Sequence, residues 1–168
     1  MSSKVKIGLI IAATIVVQVI GAGLFIESGM YDIGADDHHT KTVLALIERL
    51  RERSIGVRVR PTNMPALDDS KRIAVGAERY SALCVGCHLA PGVSKSAIRA
   101  GLYPHPPSLS QEEVQDSQRA FWIIKHGIKM SAMPAWGKSM DDTAIWDIVA
   151  FVRAMPDMTP EAYQQLSQ

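Results

Sequence analysis

The sequence has little cysteine and almost no net charge. Its 168 residues include two cysteines, Cys84 and Cys87. No second pair exists, so a four-thiolate zinc site is excluded. Basic and acidic side chains nearly cancel, leaving a formal charge of +1. That balance argues against a dedicated nucleic-acid binder, and no nucleic-acid motif is present. Internal repeats and low-complexity tracts are also missing. So is any alternation of apolar and polar residues long enough for a strand, which predicts an all-α chain with long loops. The length implies one modest domain with extensions.

What the chain does have is a long apolar run. Ile7 to Ile26 carries no charge, and Thr14 and Gln18 are its only appreciably polar side chains. Twenty residues at ~1.5 Å each span ~30 Å, the thickness of a bilayer core. Lys4 and Lys6 precede the run; Glu27, Asp32, Asp36 and Asp37 follow it. By the positive-inside rule, residues 1–6 stay in the cytoplasm and the remainder is exported. A cleaved leader is the alternative. Leader cores are shorter, at ~7–15 residues, and Gly21-Ala22-Gly23 is a poor cleavage site. The expectation is a retained anchor over 7–26. The chain is then a single-pass protein of the inner (cytoplasmic) membrane, with both cysteines on the periplasmic side. There, disulfides and covalent cofactor attachment are both permitted.

Residues 27–68 read as a linker containing one amphipathic helix, with Val43, Leu44, Ile47 and Leu50 at helical spacing. Gly56, Pro61 and Pro65 end it. A second unit spans 69–158. "KRIAVGAERYSALC", "SQRAFWIIKHGI" and "DDTAIWDIVAFVRAM" are its helices, and "LYPHPPSLS" and "KMSAMPAWGKSM" its loops. Ile145, Ile148, Val149 and Val152 form an apolar stripe on the last helix. Residues 159–168 form a tail. Helices this few and short cannot build a large core alone, so something apolar should fill the centre.

"CVGCH", residues 84–88, admits three chemistries. Zinc needs about four ligands, and Cys84, Cys87 and His88 supply three at most. A redox dithiol normally opens a helix after a strand, whereas here a helix precedes the motif. The third reading is c-type haem attachment. Both thiols form thioethers with the haem vinyl groups, and His88 reaches the iron. The pattern uses every cysteine of an exported chain, and haem would fill the missing core. A sixth ligand should then come from a later loop. "KMSAMPAWG" offers Met130 and Met133, and a thioether favours reduced iron.

Residues 70–155 resemble the class I c-type cytochromes. "GAERYSALCVGCH" is similar to that family's first helix, with Gly76, Tyr80 and Cys84 each four apart. "PPSL", "MPAWG" and "DIVAFVRAM" follow in the family's order, with Phe151 at its usual aromatic position. More broadly, the exported region is similar to membrane-anchored proteobacterial monohaem cytochromes. The resemblance implies a class I fold around one covalently attached haem c with its iron, bound through Cys84 and Cys87. It implies His88 and Met133 as axial ligands, Met133 over Met130 because the family's ligand precedes a proline. It implies that Pro107 offers its carbonyl to the free ring N–H of His88, with Pro106 as the nearby alternative. Gly76 and Phe151 should let the first and last helices cross closely, and Leu109 and Trp136 should pack near the haem.

The implied function is single-electron transfer between respiratory or dehydrogenase partners, and not enzymatic turnover. Two alternatives are a haem subunit of a membrane oxidoreductase complex and a sensor or peroxidase-like protein whose Met133 leaves the iron. Several residues stay outside this scheme. His126 could ligate iron instead, although a helix-borne exposed histidine is more often just solvated, and His105, between prolines, has no better claim. His38 and His39, beside Asp36 and Asp37, form a polar loop near the membrane rather than a metal site. Arg49, Arg51, Arg53, Arg58 and Arg60 suit an anionic lipid surface, an acidic partner or simply a solvated face.

Overall fold

The computed structural model describes residues 2–168 and contains helices but no strand among them. The chain divides into two compact units, Met1–Asp37 and His38–Gln168. The first is built on α1 (Ser3–Glu27), which has no buried residue. Its length and composition suit a membrane span. Thr14 bonds its hydroxyl back to the Ile10 carbonyl at 2.9 Å, so the apolar run presents no unpaired hydroxyl.

The second unit comprises α2 (Lys41–Gly56), α3 (Ser70–Leu83), the short turns α4 (Val85–His88) and α5 (Ala97–Ala100), α6 (Ser117–His126), α7 (Asp142–Ala154) and α8 (Pro160–Leu166). Side-chain caps start most of them. Thr40, Asp69, Ser96, Asp116, Asp141 and Thr159 each accept from a backbone N–H of the first turn. Such caps satisfy donors that a helix start otherwise leaves open.

Helix α7 is the axis. Every residue from Ala144 to Val152 is buried, beyond the single stripe expected from periodicity. The reason is that α3 and α6 pack on different sides of it. On the α3 side lie Ala77, Tyr80, Ile148, Phe151, Val152 and Met155; on the α6 side lie Phe121, Ile145, Trp146 and Val149. Phe121 stacks on Trp146 at 4.2 Å. One charge shares this interior: Asp147 is paired with Arg72 of α3.

The crossing of α3 and α7 depends on Gly76. A side chain there would meet the Asp147 carbonyl and the Phe151 Cβ. The close approach expected from Gly76 and Phe151 therefore exists, but the α7 backbone and Phe151 Cβ make it, rather than the aromatic ring. Within the expected tail, 159–168, Pro160–Leu166 form α8, whose Tyr163 is buried against the Phe151 cluster. A seven-residue helix with one aromatic gives a weak periodic signal, so its docking partner had to reveal it. Helix α2 docks on α6 through Glu52–Arg119 at 2.5 Å, with Ile55 buried. Thr62 and Gln118 exchange hydrogen bonds beside it.

Candidate functional site

The site begins where α3 ends. Cys84 caps α3, its N–H donating to the Tyr80 carbonyl at 2.8 Å. The Cys87 and His88 N–H groups both donate back to the Cys84 carbonyl, at 3.1 and 2.9 Å. One tight turn thus carries two thiols and an imidazole. Leu89 follows with φ 61°, a left-handed conformation disfavoured for a side chain of its size. It is held by the buried Tyr80 hydroxyl, which donates to the Leu89 carbonyl at 2.7 Å. Burial chiefly, and Cys84 and Tyr163 secondarily, raise the Tyr80 pKa, so the phenol remains a donor.

Both thiols are free and half-buried. Burial first, and Cys87 second, push the Cys84 thiol up to about 12. A thiol-exchange catalyst needs the opposite, a thiolate stabilised near neutral pH. Cys84 is therefore poorly suited to act as the attacking thiol of disulfide exchange.

His88 is fixed from the far side. Its Nδ1 lies 3.0 Å from the Pro107 carbonyl. A carbonyl can only accept, so Nδ1 carries the proton and Nε2 keeps a free lone pair. The Leu109 N–H donates to the His88 carbonyl at 3.1 Å, a second tie to the same loop. Burial lowers the His88 pKa against the opposing pull of the Pro107 hydrogen bond; Arg99 lowers it further and Glu112 raises it. A neutral imidazole with one free nitrogen is what a metal takes. Pro106, the alternative partner, is occupied: its carbonyl accepts from the Arg99 guanidinium.

Arg99 was not anticipated. The same guanidinium donates to the Cys87 carbonyl at 3.3 Å, bridging the CVGCH turn and the proline loop. Ser96 assists, donating to the Gly86 carbonyl at 2.5 Å while capping α5. No sequence signal marks these residues, because α5 has only four residues and its partners lie up to 12 positions away.

On the other side stands the methionine loop. Gly127 ends α6 with φ 65°, and a Cβ there would strike the Met133 and Pro134 carbonyl groups. Only glycine suits both the conformation and the space. The Ile128 N–H donates to the Met133 carbonyl at 3.1 Å, and the Met133 N–H donates to Ser131 Oγ at 3.2 Å. Met133 is half-buried in this ring, whereas Met130 is 100% exposed. Trp136 is half-buried at the start of a single 3-10 turn, and Leu109 packs on the Tyr80 cluster together with Cys84, Val85 and Ile124.

The remaining histidines are placed elsewhere. His126 is exposed beside Trp122, with ring centroids 4.7 Å apart. The His105 Nδ1 lies 3.1 Å from the Arg99 carbonyl. His38 stacks on Tyr103 at 4.1 Å and His39 tilts against the same ring. Among the described residues, no group of three or more His, Cys, Asp or Glu could hold a metal ion. Two open clefts, of about 400 and 350 Å³, are lined by residues around Arg72 and around Arg153, none of them from the CVGCH turn.

The donor set fits a covalently held haem: two unbridged thiols and an imidazole on one turn, with Nε2 available. Comparison with known families agrees. Residues 71–152 match the family model described as cytochrome C oxidase, cbb3-type, subunit III. The match runs from α3 into α7 and covers just under half of the chain. It supports a c-type cytochrome. A cytochrome c domain of this type binds covalently attached haem c with its iron. No curated protein and no solved structure matches the chain.

Proposed function

We propose that this chain is a membrane-anchored monohaem cytochrome of class I that passes single electrons between redox proteins. Cys84 and Cys87 hold the haem, His88 and Met133 ligate its iron, and α1 keeps the haem domain on the periplasmic face of the inner membrane. The observation that carries this reading is the Nδ1 hydrogen bond of His88 to Pro107, which leaves Nε2 free on the turn bearing both thiols.

Each residue has a task. Pro107 fixes the tautomer and ring plane of His88 and makes it a better donor. Arg99 holds the Pro106 carbonyl against the Cys87 carbonyl, so the imidazole and thiols move as one body. Gly127 permits the turn that fixes Met133. Leu109, Trp136 and the Tyr80 cluster supply apolar surroundings that limit reorganisation. When bound, haem supplies the one-electron couple. With His88 and Met133 both holding the iron, no position would be left for substrate, which favours a carrier over a peroxidase.

A second reading concerns partners. The matched family's description names an oxidase subunit, which favours a haem subunit of a membrane oxidoreductase complex. Tethering by α1 raises the effective concentration at membrane partners in either case.

The test is an absorption spectrum of protein matured with haem-attachment machinery, with haem staining of a denaturing gel. Covalent haem, a methionine-to-iron charge-transfer band and no CO binding are expected. CO binding without that band would overturn Met133 as ligand. Failure of covalent attachment would overturn the cytochrome reading. Solubilisation in mild detergent distinguishes a lone carrier from a subunit that co-purifies with others.

A further inference from the structure

Helix α2 is apolar on two faces, and packing within the domain accounts for one. Ile55 is buried and Leu44 is half-buried on the side where Glu52 pairs with Arg119 of α6, while Val43, half-buried, borders the other side. The opposite side carries Leu46, Leu50 and Val57, which are 64%, 71% and 54% exposed. At 100° per residue, these three lie within about 40° of one another. Arg49 and Arg53 border the stripe and are exposed, and among the described residues neither guanidinium makes a hydrogen bond or ion pair.

Solvent alone gives such a stripe no reason to exist, and what covers it must suit both leucine and arginine. Residues 28–40 connect the end of α1 to the start of α2. Thirteen residues reach at most ~45 Å when fully extended. A bilayer crossed by α1 is therefore always within reach of α2, at high effective concentration. Apolar side chains bordered by arginines match the boundary between acyl chains and anionic headgroups. Arg58 and Arg60, at the helix end, add charge of the same sign, although their guanidinium groups also bond locally to Ser54 and to the Val57 and Val59 carbonyls.

We infer that the Leu46, Leu50 and Val57 face of α2, bordered by Arg49 and Arg53, docks on the anionic phospholipid surface of the membrane. The inference rests on the reading of α1 as an anchor. Because α2 is fastened to α6 through Glu52–Arg119 and the Thr62–Gln118 bonds, docking orients the haem domain as well as tethering it.

The test uses the full-length, haem-loaded and reduced protein with a nitroxide on Thr42→Cys. Thr42 is exposed on the same side one turn earlier, so the leucine stripe stays intact. Vesicles contain phosphatidylcholine with or without phosphatidylglycerol. Collision with lipid-soluble oxygen is compared with collision with a water-soluble nickel chelate. Oxygen should dominate in the anionic vesicles. In Arg49→Gln/Arg53→Gln the docked-to-free ratio should fall roughly thirtyfold, from about a factor of five per charge. A label open to nickel in both vesicle types overturns the inference. So does oxygen preference that is unaffected by lipid charge or by the double substitution. A label shielded only in native membranes also overturns it and assigns the face to a protein partner. Release of the chain by alkaline carbonate would overturn the anchor reading, and the docking with it; retention with a water-exposed label overturns the docking alone.

Discussion

Gly76→Ala tests the packing that supports the site. A methyl carbon at Gly76 would lie 2.0 Å from the Asp147 carbonyl oxygen, 2.6 Å from its carbon and 2.8 Å from Phe151 Cβ. A carbon and an oxygen in contact prefer about 3.3 Å or more. The overlap is therefore ~1.3 Å, and its partners are α7 backbone and a Cβ, not the end of a flexible side chain. Relief requires α3 and α7 to separate by about 1 Å, a gap that forfeits up to half of each dispersion contact across it. The layer affected includes Ala77, Tyr80, Ile148 and Phe151, all 0–1% exposed. A loss of about 3 kcal/mol follows, at the upper end of ordinary overpacking. For a domain of this size that lowers Tm by about 12 °C or more. Guanidinium unfolding of the haem-loaded variant measures it. Gly56→Ala is the control, since a Cβ there meets nothing within 4 Å. The control should stay within about 0.5 kcal/mol of the parent. A Gly76→Ala loss below about 1 kcal/mol would refute the reasoning, because no such crossing would then exist. Tyr80 lies one turn beyond Gly76 and anchors Leu89, so the same variant should also perturb the haem spectrum.

Three further outcomes are expected. Met133→Ala should abolish the methionine-to-iron band, permit CO binding to the reduced protein and lower the midpoint potential, whereas Met130→Ala at the solvated neighbour should do none of these, as spectra and redox titration will show. Arg99→Gln removes a cation that disfavours the oxidised, more positive iron, so its midpoint should fall in redox titration; Arg99→Lys should restore the charge effect in part but not the two-carbonyl bridge, leaving a lower Tm. In the haem-free chain the Cys84 thiol stays protonated below about 12. Its alkylation rate should therefore keep climbing about tenfold per pH unit above pH 9, where an ordinary thiol levels off. The sign for stability follows. A raised folded-state pKa contributes stability that is present below the unfolded value near 9 and lost as pH rises through about 12.

Much of the site could be read directly from short runs of residues. CVGCH is contiguous, so its thiols and imidazole share a turn whatever surrounds them. The apolar stretch 7–26 needs only length and composition, and α1 extends it by four residues before and one after. The helical class follows from periodicity and is observed among the described residues. Met130 and Met133 are harder to separate, because both stand in one loop and differ by three positions. The structure distinguishes them by exposure: Met133 is half-buried, in a loop whose Met133 and Pro134 carbonyl groups crowd Gly127, and Met130 is fully exposed. The terminal helix α8 escaped detection because seven residues are too few for a pattern.

The sequence by itself determined the cofactor chemistry, a first helix long and apolar enough to cross a membrane, and the all-α class, since each depends on neighbours along the chain. Tertiary structure decided the rest. It chose Pro107 over Pro106 by giving the latter to Arg99, and it brought Arg99 within reach of Cys87. It buried α7 on every side by packing helices around it. It also left one of two apolar faces of α2 open. Hydrophobic spacing records that a face is apolar, but only the positions of the other helices determine which face they cover.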